Sequence, residues 1–259
     1  MAVFASLNGI GSYIYLERHI YTDKMDGATA LFDIDGTLCT VWPLHEKAYE
    51  STISELYNIP RVNFRTAYVP GNTNKYTVRT NLEHLGCPKE FIDSKIDKVP
   101  EVIARYYEQY INTADITVLP GVVNLLGCLR SEGFRTGVVT GNASYIANLM
   151  LKKAGLFHYF SGLVVTADDG ETRERRMLIA LRRMGRHKRR SVFYFDDSNA
   201  SIKVSRKLGI IPIAVATGEI SYTELLRNGP DHTFKNLRET QKVIEVIVGL
   251  RNKNKSKIM

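Results

Sequence analysis

The sequence predicts an α/β fold: a mainly parallel sheet with helices on its faces and a small α-helical cap inserted after the first strand. Three observations predict it. Five short apolar, β-branched or aromatic runs recur along the chain, and four of them end at a polar residue able to do chemistry. Between the later runs lie segments of helical length whose apolar residues repeat near every 3.6 positions, so strand and helix alternate. The stretch 41–118 breaks this alternation, because it holds amphipathic helical segments and no convincing strand.

Composition sets the frame. With 259 residues, 44% of them hydrophobic and 24% charged, the chain can bury a substantial core and is not a disordered polymer. Its longest apolar runs fall well short of the ~20 residues that span a bilayer. Cys39, Cys87 and Cys128 are odd in number, widely spaced and without a Cys-x-x-Cys pair, which argues against a disulfide framework and a zinc site. Together with an N-terminus that makes a poor signal peptide, this predicts a cytoplasmic protein.

The strand runs are 28–34, 135–140, 162–166, 191–195 and 210–215. Helical segments are expected at 122–132, 144–154, 177–184 and 198–208, and within the insert at 45–57, 74–85 and 88–111. Pro43 and the Leu119-Pro120-Gly121 turn are read as hinges of the insert, since Pro and Gly punctuate elements. The expected division is a core of 28–42 and 119–250, a helical cap of 43–118, an N-terminal extension of 1–27 and a basic, frayed tail of 251–259.

The first run leads into Asp33, Asp35, Gly36 and Thr37. Strand periodicity puts the two carboxylates on one side, and burial forbids an unpaired carboxylate inside a sheet covered on both faces. The pair therefore belongs at the carboxyl end of the strand, in the crevice where open α/β sheets bind ligands. Two carboxylates so close call for an acid/base partnership, a cation, or both. Thr140, Gly141 and Asn142 stand at a second strand end opening toward a helix, where free backbone N–H groups bind anions. Asp196, Asp197 and Ser198 follow a third strand. Each motif alone also reads as an ordinary turn or helix cap.

Taken in order, "FDIDGTL", "LPGVVNLLGCLRSEGFRTGVVTGN", "DDGETRERRMLIA", "FYFDDSNASI" and "VATGEISYTELLRNGPD" resemble a haloacid-dehalogenase-superfamily phosphohydrolase, of the branch similar to phosphoglycolate phosphatases, over about 29–237. The segment "PGNTNKYTVRTNLEHLG" is similar to that branch's cap. The resemblance implies a Rossmann-like core and a Mg²⁺-dependent phosphatase that hydrolyses a small phosphomonoester through an aspartyl-phosphate. Asp33 would be the nucleophile and Asp35 the proton donor, then acceptor. Mg²⁺ would lie among Asp33, the backbone carbonyl of Asp35 and Asp197. Gly36, Thr37, Thr140, Gly141 and Asn142 would hold the substrate, with Arg173 as the third-motif cation, and Thr73 and Arg79 would be cap contacts.

This chain departs from the family pattern in two places. The glycine that usually opens the fourth motif is Asp196, and the motif's second aspartate is Ser201, so metal affinity is expected to be modest. Arg175 and Arg176 are alternatives to Arg173. The expected partner is a small phosphorylated metabolite and no membrane. A sugar-phosphate mutase of the same superfamily would use the same aspartate pair.

A reading from a different class comes from charge. The net charge is +8, but 171–190 holds nine Arg or Lys against two Glu, and the tail adds Arg251, Lys253, Lys255 and Lys257. The basicity is therefore local. The segment 182–190 supports a catalytically idle nucleic-acid-binding protein as the competing reading, without the aromatic interleaving such proteins use.

Overall fold

The computed structural model describes residues 27–113, 116–160, 162–185 and 191–256. Its centre is a six-stranded, all-parallel sheet: β1 (Thr29–Phe32), β4 (Arg135–Val139), β5 (Val164–Val165), β6 (Val192–Asp196), β7 (Ile211–Val215) and β8 (His232–Phe234), in the order β5-β4-β1-β6-β7-β8. β1 lies in the middle, with Phe32 opposite Val138 on one side and Phe195 on the other. The two-residue period sends Ala30 and Phe32 into one core layer and Leu31 into the other, and all three are fully buried. Phe32 stacks on Phe195 with ring centres 4.7 Å apart. Tyr194, facing the second layer, donates its hydroxyl to the Val139 carbonyl at 2.9 Å. A strand buried on both faces is what the near-continuous apolar runs require.

The core helices are α5 (Val122–Ser131), α6 (Ser144–Lys153), α7 (Arg173–Met184), α8 (Asn199–Lys207), α9 (Tyr222–Arg227) and α10 (Thr240–Ser256). The last strand and the last two helices were not anticipated from periodicity. Nor was the continuation of α10 through Ser256, where a frayed tail was expected from residue 251. The N-terminal extension, apart from Gly27, and the basic residues 186–190 lie outside the described residues.

Between β1 and α5 the chain forms the helical cap: α1 (Trp42–Tyr57), α2 (Asn74–His84), α3 (Lys89–Asp93) and α4 (Val99–Ile111). Pro43 occupies the first turn of α1, where its missing N–H costs nothing. The expected single helix 88–111 is broken by a 3₁₀ turn at Ile96–Lys98, and Pro100 then starts α4. The entry and exit of the insert pair with each other. β2 (Cys39–Thr40) and β3 (Thr117–Val118) form an antiparallel ribbon that no sequence pattern signalled, because two residues are too few to show alternation. Among the described residues no helix is long and apolar enough to cross a membrane.

Candidate active site

At the carboxyl end of β1 the strand pairing continues one residue further, with the Asp33 N–H donating to the Phe195 carbonyl at 3.0 Å. The chain then turns sharply, and Leu38 and Cys39 donate back to the Ile34 carbonyl at 2.8 and 3.1 Å. Gly36 makes the turn at φ +70°. A Cβ there would strike the Asp197 carboxylate, and so would one at Gly218. Glycine is needed at both positions because Asp197 packs directly against the backbone.

Asp33, Asp196 and Asp197, from the ends of β1 and β6, are buried and present one carboxylate oxygen each within 4.8 Å of one another. Asp33 accepts the Ile34 N–H at 2.8 Å. Burial, and next the charge of Asp196, push its pKa up to about 7, with Asp35 adding to the rise and Arg173 opposing it. Asp197 is driven well above the carboxylate range, again by burial first and then by Asp196 and Asp33. One Asp197 oxygen, Oδ1, is buried without a hydrogen-bond partner. A buried, mutually repelling, all-oxygen cluster with an orphaned acceptor fits a hard divalent cation. The third carboxylate of this cluster is that of Asp196, a residue not counted among the expected metal ligands, while Asp35 is expected to contribute only its backbone carbonyl.

Arg173 is the arginine that enters the site. It is buried, lies 2.6 Å from Asp196 Oδ2 and donates to the Ser201 hydroxyl. Asp196 is held from behind by the Ser198 N–H and hydroxyl at 2.7 and 2.6 Å. Ser201 thus meets Arg173 through its hydroxyl, and the carboxylate paired with the guanidinium is that of Asp196. One turn on, Arg176 is also buried but faces the cap, and Arg175 is exposed.

Asp35 is held separately. Asn142 Nδ2 donates to its Oδ2 at 2.6 Å, and His45 Nε2 lies 2.7 Å from its Oδ1. His45 Nδ1 contacts the Tyr107 hydroxyl. Burial holds the Tyr107 phenol well above its ordinary pKa, so it stays protonated against the ring. Neither His45 nor Tyr107 was singled out from the sequence as functional. A lone histidine on an amphipathic helix reads as packing, and only the folding of α1 and α4 over β1 brings the pair to Asp35.

Thr140 and Asn142 are buried beside the pair, with the Asn142 N–H donating to Thr140 Oγ1 at 3.3 Å. Gly141 cannot carry a side chain, because its Cβ would meet the Gly71 and Asn72 carbonyls of the cap. Thr37 is buried with its hydroxyl unpartnered, and Thr73 caps α2 by accepting the Tyr76 N–H at 3.3 Å. Arg79 is not at the site. It is paired with Asp93 at 2.5 Å on the cap's own surface, which corrects its expected role as a substrate contact. The space enclosed by Asp33, Asp35, Gly71 and Thr140 is only about 10 Å³, while a cleft of about 520 Å³ between cap and core opens beside Asn74, Ala143 and Glu171.

A parallel sheet carrying carboxylates at its central strand ends, closed over by a helical cap, defines a capped α/β fold with its ligand site at that edge of the sheet. The model for haloacid dehalogenase-like hydrolases matches residues 30–215, and the chain belongs to that family. Among its relatives, it is 24% identical over 218 residues to the pyrophosphatase PpaX of Oceanobacillus iheyensis, covering 82% of this chain and 94% of that protein. It is 29% identical over 116 residues to the phosphoglycolate phosphatase of Synechococcus elongatus, covering 45% and 54%. The β-phosphoglucomutase structure from Clostridium difficile superposes with a TM-score of 0.70 at 16% identity, over 88% of this chain and 98% of that one.

Proposed function

We propose that the protein is a Mg²⁺-dependent phosphomonoesterase acting on a small metabolite, with Asp33 as nucleophile and Asp35 as general acid and base. The observation that carries this reading is the separation of partners at the end of β1. Asp33 sits in the cluster with Asp196, Asp197 and Arg173, while Asp35, two residues on, is held by His45 and Asn142. Two carboxylates in different surroundings can take different protonation roles.

Asp33 and Asp197, with Asp196 adjoining, would hold the cation, which when bound neutralises the carboxylates and the phosphate oxygens. Asp33 attacks phosphorus and the ester P–O bond breaks. Asp35 donates its proton to the departing alkoxide, and later accepts one from the water that attacks the aspartyl-phosphate and regenerates Asp33. His45 and Asn142 fix the Asp35 carboxyl on that line. Arg173, Thr140 and the Gly141–Asn142 backbone hold the transferring oxygens. The names of the relatives support phosphate-ester chemistry, including phosphoglycolate phosphatase and glyceraldehyde 3-phosphate phosphatase.

The test is phosphate release across a panel of phosphoglycolate, sugar phosphates, nucleoside monophosphates and pyrophosphate. Mg²⁺-dependent release from at least one monoester is expected. Transfer of the phosphoryl group to a second sugar phosphate, with no free phosphate formed, would replace this reading with a mutase.

A further inference from the structure

The buried guanidinium of Arg176 is left unused by the reaction just described. It is 1% exposed, yet among the described residues it has no carboxylate within ion-pair distance. Its partners are backbone carbonyls. Nη1 donates to Gly170 and Glu171, both at 2.9 Å, on the loop that leads into α7, and Nη2 donates to the Gly71 carbonyl at 2.9 Å, across the boundary between core and cap. Arg173, one turn earlier on the same helix face, donates through Nη2 to the preceding cap carbonyl, that of Pro70, at 2.9 Å.

The strap 70–72 receiving these bonds is the roof of the site. Gly71 and Asn72 line the same small space as Asp33, Asp35 and Thr140, and their carbonyls press on Gly141. At φ +73°, with a Cβ position that would overlap the Arg173 guanidinium, residue 71 must be glycine for the strap to lie this close. With the strap in this position the space between it and the aspartates is small, about 10 Å³, so the strap bounds the room available to a phosphate ester. Removing a charged donor from water to serve three carbonyls is costly, so the contact is worthwhile only where it fixes a geometry.

We infer that Arg176 is a positioning residue that holds the cap strap 70–72 against the core, so that the closed site favours small esters over bulky ones. This rests on the phosphatase reading only for its kinetic consequence. A charged hydrogen bond is worth about a factor of ten or more in an equilibrium. Without it the closed state is less populated, small substrates lose the closed environment they depend on, and bulky ones, which never close the strap fully, lose little.

The experiment is amide hydrogen exchange across the whole chain for wild type, Arg176→Met and Arg176→Lys, with kcat/KM for a small and for a bulky alkyl phosphate whose leaving groups have similar pKa values. Exchange at 69–75 should accelerate about tenfold in the methionine variant while the amides of β1 and β6 stay protected, and the lysine variant should lie between. The small-ester kcat/KM should fall about tenfold and that of the bulky alkyl ester much less. Unchanged exchange at 69–75 in both variants, or equal kinetic losses for the two esters, would overturn the inference. If the methionine variant fails to fold, the lysine variant alone decides, with faster strap exchange expected. Exchange needs no turnover, so a wild type inactive on every ester would refute the phosphatase reading and leave the strap result standing.

Discussion

His45 Nε2 lies 2.7 Å from Asp35 Oδ1, although the imidazole belongs to the first cap helix and the carboxylate to the end of the central core strand. Tyr107, from the last cap helix, fixes the far side of the ring. The carboxyl proposed for proton transfer is therefore held from both sides, one oxygen by His45 of the cap and the other by Asn142 of the core.

Replacing His45 by asparagine should lower kcat by about 10- to 100-fold on esters of poor leaving groups, with a smaller effect on KM. An aryl phosphate, whose leaving group needs no proton, should lose much less. Steady-state kinetics on an alkyl and an aryl ester check this, and equal losses would mean that the ring only packs the cap.

Arg173 and Asp196 form a buried pair, so Asp196→Gly leaves a buried guanidinium without its carboxylate and should cost about 3–5 kcal/mol of stability. Adding Ser201→Asp restores a carboxylate at a position the guanidinium already reaches. The double variant should recover at least half of the loss in denaturant unfolding.

Gly218→Ala places a methyl group on the Asp197 carboxylate without asking for an unusual backbone angle. The Mg²⁺ concentration for half-maximal activity should rise about tenfold, and the overlap should also cost about 1–3 kcal/mol in unfolding measured in chelator.

Asp33 gives a pH dependence with a definite sign. Its pKa of about 7 lies above the ordinary 3.8, so between those values the folded chain holds more protons than the unfolded one. Its contribution to stability therefore falls as pH rises from about 4 to 7. In chelator, wild type should lose several degrees of melting temperature across that window relative to Asp33→Asn, and Mg²⁺ at pH 7 should restore them.

The parallel core was legible because each buried strand is a short apolar run, and the aspartate pair because a carboxylate at such a run's end has few places to go. The two-residue ribbon and β8 were too short to show a period. Arg79 was misplaced for a different reason. Its helix face was sound, but its charge is satisfied by Asp93, a partner fourteen positions away that only the turn between α2 and α3 brings near. His45 and Tyr107 were invisible as a pair because only the fold of the cap brings α1 and α4 together over Asp35, and Arg176, legible as a basic candidate beside Arg173, turns out to bond cap and loop carbonyls. Asp196 was noticed as a departure, and its bond to Arg173 is what explains it.

The most direct measurement is phosphate release from an activated aryl phosphate by wild type and Asp33→Asn, each with Mg²⁺ or with chelator. The account predicts turnover for wild type with Mg²⁺ and loss of at least about a thousandfold in the other three conditions. Wild-type rates from Asp33→Asn would contradict it.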